Sequence, residues 1–246
     1  MQTVFWLVMA RVAGLFVGAP VLSLAAMPAR FRILMTAALS LSLLPIARPE
    51  VMPNGADALA VGLLGEFMIG MSLGLLARLL MTAFQVAGTV MGFQMGLAMA
   101  NQLDPTTQDQ TSVVGILHLN AATVAFLLLD GHHLLIRGLA ASYETFPLGA
   151  PLRSDVLASV ISNFGSAMWS IGIRVAAPVT GIMLLVNGVL GFLNRVNPQF
   201  SIFNVGFPLT SFTGFAALLL AFPGSINAFV TAYGVLEDGI LDLLGR

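Results

Sequence analysis

Long apolar stretches separated by short polar breaks dominate this chain. A helix of about 20 apolar residues crosses the ~30 Å hydrocarbon core of a bilayer. Runs of about that length lie near residues 4–26, 58–84, 112–129, 156–193 and 209–232, with shorter ones at 33–47, 84–100 and 133–142. The breaks are Met27-Pro28 before Arg30 and Arg32, Arg48-Pro49 with Pro53-Asn54-Gly55, Asp104-Pro105, Pro147 to Pro151, and Asn197-Pro198-Gln199. The 156–193 run is too long for one perpendicular span, and Pro178 inside it predicts a kink or a hairpin break. The first run lacks a basic leader and is interrupted by Arg11, so it reads as a retained membrane helix rather than a cleaved signal. The pattern predicts an all-α membrane protein of about six to eight apolar helices.

Composition agrees. The chain has 246 residues, of which 58% are hydrophobic and 9% charged, against about 25% charged in soluble domains. Mean hydropathy is +0.95. The net charge of −1 leaves no basic patch for nucleic-acid phosphates. Cysteine is absent, which removes disulfides, thiolate metal sites and cysteine nucleophiles. Arg30 and Arg32 mark one loop as cytoplasmic, but the other loops are near neutral and do not fix the topology.

Small residues recur at helical spacing. Gly88, Gly92 and Gly96 form a GxxxGxxxG run continued by Ala100, and Gly62, Gly70 and Gly74 keep four-residue steps or their multiple. Such ridges let backbones approach closely in a membrane, either within the chain or against other subunits. Charges within apolar runs are costly, about 3 kcal/mol on insertion scales, and normally pair or face water. Arg11, Glu66, Arg78, Arg174 and Asp130 are of this kind. Glu66 shares the glycine ladder and is expected to face a helix partner, with Arg11, Arg78 and Arg174 as the three candidate cations.

No catalytic set is visible: there is no GxSxG, no phosphate-binding loop and no Ser-His-Asp arrangement. Asp130-Gly131-His132-His133 is the one cluster of ligand-type residues. Asp130 and His133 have i, i+3 spacing and His118 is a possible third member, yet no HExxH-type motif is present. The expectation is a polar helix end, with no metal and no cofactor. A membrane transporter, which often shows interrupted helices and midplane charges, remains an alternative, although the two halves share no repeated motif.

Several stretches carry a resemblance: Glu66 with Gly70 and Gly74, AGTVMGFQMGLAMANQLDP (87–105), LDGHHLLIRGLAASYETFPLG (129–149) and APVTGIMLLVNGVLGFLNRVNPQFSIFNVGFPLT (177–210). Together they cover most of the chain, and it resembles the FliR/SctT family of type III secretion export gates. The Asn-Val-Gly-Phe-Pro ending resembles flagellar rather than virulence members. The resemblance implies kinked helical hairpins, with a FliP-like part (1–170) fused to a FliQ-like part (171–246). It implies a non-enzymatic subunit of the bacterial inner membrane, in the flagellar basal body. A single copy of this chain would assemble with FliP-like and FliQ-like membrane subunits, near FlhB-like and FlhA-like components. Membrane lipid and unfolded secreted proteins would be its other contacts.

Segment 92–111 is polar and lacks basic residues, although it sits between apolar runs. Proline at 105 removes a backbone donor and restricts Asp104, so the helix is expected to end there. Non-helical backbone at membrane depth is tolerated only within protein or along water. The resemblance implies that this segment plugs a pore: Met95, Gly96, Asn101, Gln102, Asp104, Pro105, Thr106, Thr107, Gln108, Asp109, Gln110 and Thr111. It also implies a contact loop comprising Arg195, Asn197, Pro198, Gln199, Asn204, Gly206, Phe207 and Pro208.

Overall fold

The computed structural model describes residues 2–20, 28–47, 49, 55–97, 112–150, 154–196 and 205–245. These residues form seven helices: α1 (Gln2–Gly18), α2 (Ala29–Leu43), α3 (Ala56–Gln94), α4 (Val113–Leu128), α5 (Gly131–Thr145), α6 (Ser154–Val196) and α7 (Phe207–Leu243). Among the described residues there is no strand, only an isolated bridge between Pro49 and Leu148. An all-helical answer is what lipid demands, because a helix satisfies its backbone polar groups internally. Helices α3, α6 and α7 are each long and apolar enough to cross a membrane, and the broken pair α4–α5 makes a fourth candidate span.

Three helices are longer than the sequence pattern predicts. α3, α6 and α7 have 39, 43 and 37 residues, so at 1.5 Å per residue they reach about 58, 65 and 56 Å. That is about twice the hydrocarbon thickness. The runs 58–84 and 84–100 do not meet at a break near residue 84: residues 56–94 form the single helix α3. α6 passes through Pro178 without the expected hairpin break. A proline removes one donor, and Val175, Ala176 and Val179 beside it are buried, so packing outweighs that loss.

α3 ends well before Asp104-Pro105. Gly96 N–H donates to Phe93 O at 3.1 Å and Leu97 N–H donates to Gly92 O at 3.2 Å. With Gly96 at φ 79°, this is a Schellman closure, which needs a residue in the left-handed region. Gly96 is therefore the stop signal of α3 and not the third rung of its packing ridge. At the other connection, Arg195 lies in the last turn of α6 and Phe207-Pro208 open α7. The predicted contact loop is thus shorter at both ends, because proline is tolerated in the first turn of a helix.

The chain divides into two compact units. The first holds Met1–Leu80, Phe126–Ala167 and Tyr233–Arg246. Its core is built from Leu7, Val8, Val12 and Leu15 of α1, Leu73 and Leu76 of α3, Leu135 and Leu139 of α5, and Leu236 and Ile240 of α7, all buried. The second holds Met81–Ala125 and Met168–Ala232. There Met81, Met91, Met95, Val179, Met183 and Phe229 are buried, and Phe84 meets Phe229 edge to face at 5.1 Å. The flexible thioethers fill gaps between helices.

Candidate functional site

The first unit closes around a buried charge. Arg11 is fully buried and Glu66 is 3% exposed. Arg11 Nε donates to Glu66 Oε2 at 2.6 Å, and its Nη2 lies 2.5 Å from the same oxygen. The other donors go to Ser142 Oγ at 3.0 Å and the Phe146 carbonyl at 2.8 Å. The guanidinium also lies 4.3 Å from the Tyr143 ring centre. Glu66 Oε1 accepts the Gly149 N–H at 3.1 Å. Of the three candidate cations, the structure selects Arg11. The node joins α1, α3, α5 and the turn at 146–149, so one ion pair fixes four segments.

Glycines make that node possible. A Cβ on Gly70 would fall on the Arg11 carbonyl oxygen, and one on Gly14 would fall on the Phe67 carbonyl oxygen. Gly18 and Gly74 block each other in the same way: a Cβ on Gly18 would meet Gly74 Cα at 3.0 Å, and one on Gly74 would meet Gly18 Cα at 2.8 Å. Small residues on both helices thus allow backbone contact, which brings the short reach of Glu66 to Arg11. Gly14 and Gly18 carry the same four-residue step as Gly70 and Gly74, a signal that sequence reasoning missed.

The second unit repeats the device on α3 and α4. A Cβ on Gly88 would meet Val114 O at 2.6 Å and Gly115 Cα at 2.8 Å. The Ser112 side chain occupies the space over Gly92. Ser112 Oγ accepts the Val114 N–H at 3.3 Å, capping α4. Gly70, Gly74, Gly88 and Gly92 therefore pack helix on helix within the chain. Met95 is buried, and its carbonyl accepts the Ser211 hydroxyl at 3.4 Å. The remaining predicted plug residues, Asn101, Gln102 and Asp104 to Thr111, lie outside the described residues. So do Asn197, Pro198, Gln199 and Asn204 of the contact loop.

The expected set of buried charges divides in two. Arg11 and Glu66 are buried, whereas Arg78 and Arg174 are exposed on the surface of the isolated chain. Neither has an ion-pair partner among the described residues. Arg174 sits at the middle of α6 and lines a pocket of about 340 Å³ with Ala221, Ser225 and Ala228 of α7. Asp130 breaks α4 from α5 with φ 57°. His133 Nδ1 donates to its carboxylate at 3.0 Å, and ligand atoms of Asp130, His132 and His133 lie within 4.8 Å of one another. His118 is not among them; its Nδ1 donates to Val114 O at 3.0 Å and its ring meets Phe222 edge-on.

The outer faces of the long helices complete the picture. Leu184, Leu185 and Phe192 on α6 and Phe212, Leu219 and Leu220 on α7 are all more than 60% exposed. Surfaces this apolar are covered by lipid or by other membrane helices, and the fold defines an all-α integral membrane protein. Residues 2–234 match the family described as bacterial export proteins, family 1, and the chain belongs to that family. It is 35% identical to the flagellar biosynthetic protein FliR of Pectobacterium carotovorum over 87% of this chain and 82% of that one. It is 31% identical to FliR of Escherichia coli K12 over 97% and 93% of the two chains. It is 28% identical to FliR of Caulobacter vibrioides over 94% and 93%.

Proposed function

We propose that this chain is a non-enzymatic subunit of the flagellar protein export gate in the bacterial inner membrane. The supporting observation is the family match across residues 2–234, together with similarity to FliR proteins over nearly the full length of both chains. In this reading one copy assembles with FliP-like and FliQ-like subunits, next to FlhA-like and FlhB-like components. The exposed apolar faces of α6 and α7 are then covered by neighbouring helices as well as lipid. The division into a FliP-like part (1–170) and a FliQ-like part (171–246) belongs to the same proposal.

Segment 95–111 is the plug in this reading. Its amides and hydroxyls form weak neutral contacts that hold a pore shut and release when an unfolded chain arrives. The test of assembly is native mass spectrometry of the tagged protein, co-expressed with its neighbouring genes and extracted in mild detergent. One hetero-oligomer with a single copy of this chain is expected. A stable monomer or homodimer, unchanged by the neighbours, overturns the proposal. The plug has its own test: deletion of 104–111 should raise single-channel ion conductance, and an unchanged leak removes that role.

A further inference from the structure

Helices α1 and α2 frame a groove of about 310 Å³ in the first unit. Its walls are apolar: Met9, Phe16 and Val17 from α1, and Ile33 from α2. Two polar side chains line it, Thr36 and Arg32. Thr36 donates its hydroxyl to the Arg32 carbonyl at 2.8 Å, so the guanidinium is the group left to meet a ligand. Arg32 Nε is buried and has no hydrogen-bond partner among the described residues. A buried donor left unmet costs about 1–3 kcal/mol, and more when charged, so this position calls for an anion.

The chain supplies none nearby on these elements, because neither α1 nor α2 contains an aspartate or glutamate. Instead Arg30 adds a second positive charge one residue from the start of α2. The N-terminus of that helix has Pro28 at its cap and no side-chain cap. Of the 15 residues of α2, only Ser40 and Leu43 are buried. Phe31, Leu34, Met35 and Leu41 are exposed, so this helix presents apolar surface beside a guanidinium. A ligand that satisfies both must carry an anionic phosphate on an apolar body.

We propose that the α1–α2 groove is a binding site for an anionic phospholipid. Arg32 pairs with the phosphodiester, and the fork geometry of guanidinium suits that partner. Arg30 adds attraction to an anionic surface. One acyl chain lies along Met9, Phe16, Val17 and Ile33. The site rests on the membrane character of the chain and not on its part in export.

The test is native mass spectrometry of the full chain, purified with its co-expressed neighbours, titrated with phosphatidylglycerol, phosphatidylcholine or inorganic phosphate. Phosphatidylglycerol should bind about tenfold more tightly than phosphatidylcholine, whose phosphodiester is offset by its own choline cation beside Arg32 and Arg30. Arg32→Gln should remove that preference, and Arg32→Lys should keep part of it. Ala13 of α1 also lines the groove; Ala13→Leu narrows it with the charge intact and should also weaken binding, which keeps the test open if Arg32→Gln does not fold. Equal binding of the two lipids, or unchanged binding by both Arg32→Gln and Ala13→Leu, overturns the proposal. Displacement of the lipid by millimolar phosphate overturns the acyl-chain part and leaves a simple anion site. Either failure leaves the test of the hetero-oligomer untouched, and absence of the hetero-oligomer leaves the lipid titration readable.

Discussion

Glu66→Gln isolates the charge of the buried node from its shape. The amide keeps the length of the side chain and an oxygen for the Gly149 N–H, which lies 3.1 Å from Oε1. What it removes is the countercharge of Arg11, which is fully buried. At an effective dielectric of about 20 and a separation of ~4 Å between charge centres, the lost attraction is about 4 kcal/mol. Breaking one partner of a buried pair costs about 3–5 kcal/mol in practice. The remaining contacts of Arg11 cannot make this up: the Tyr143 ring contributes about 0.5–2 kcal/mol, and Ser142 and the Phe146 carbonyl offer dipoles only. For a chain of this size about 2–4 °C of melting temperature follows each kcal/mol. Glu66→Gln should therefore lower the midpoint by about 6–20 °C, read by fluorescence-detected size exclusion of the detergent-solubilised protein. The double change Arg11→Leu with Glu66→Leu should recover at least about 2 kcal/mol relative to the sum of the single changes, because apolar replacement of both partners removes the stranded charge. A Glu66→Gln midpoint within about 2 °C of the parent would refute the assignment of that node as the clamp of the first unit.

The same melt separates the roles of the glycines. Gly70→Ala places a Cβ on the Arg11 carbonyl and should cost about 1–3 kcal/mol by forcing α1 from α3. Gly188→Ala meets nothing within 4 Å and should be neutral or stabilising by up to about 1 kcal/mol; equal effects at the two positions would contradict the packing described. Gly96→Ala should cost about 1–2 kcal/mol through its left-handed backbone, although its Cβ would meet only ordinary contacts with Phe207 and Thr210 at 3.5–3.6 Å. A Gly96→Asn change should recover part of that loss, since asparagine tolerates this conformation, and no recovery would point to lost space instead.

The all-helical membrane class was readable because apolar length and sparse charge constrain it directly. The break at Asp130-Gly131 was readable too, since a glycine after an aspartate marks a helix end. The partner of Glu66 was not, because sequence spacing orders residues within a helix and carries nothing about which helix lies alongside. The complementary glycine steps in α1 and α3 were the available clue. Helix lengths were misread for a related reason. Periodicity does not distinguish one 39-residue helix from two runs meeting near residue 84, and local rules do not decide between a kink and a hairpin break at Pro178, of which the break does not occur. Gly96 fitted a four-residue ladder by spacing but serves as a stop, a difference that lies in φ and not in composition. Ser142, Tyr143 and the carbonyl of Phe146 escaped notice because their role is to complete a shell whose centre is 131 to 135 residues away.

That separation has a consequence for how the protein is made. Arg11 lies on α1, and its carboxylate lies 55 residues later in the chain. At about 5–20 residues per second, Glu66 follows by about 3–11 s and Phe146 by about 7–27 s. Throughout that interval α1 carries an uncompensated arginine, at an insertion cost of about 2.5–3.5 kcal/mol at mid-helix. Helix α1 therefore gains its counterion only as α3 arrives, and its other partners only as α5 and the turn after it close. Docking of α1 onto α3 and α5 is thus separated from its synthesis by the time needed to make more than half of the chain.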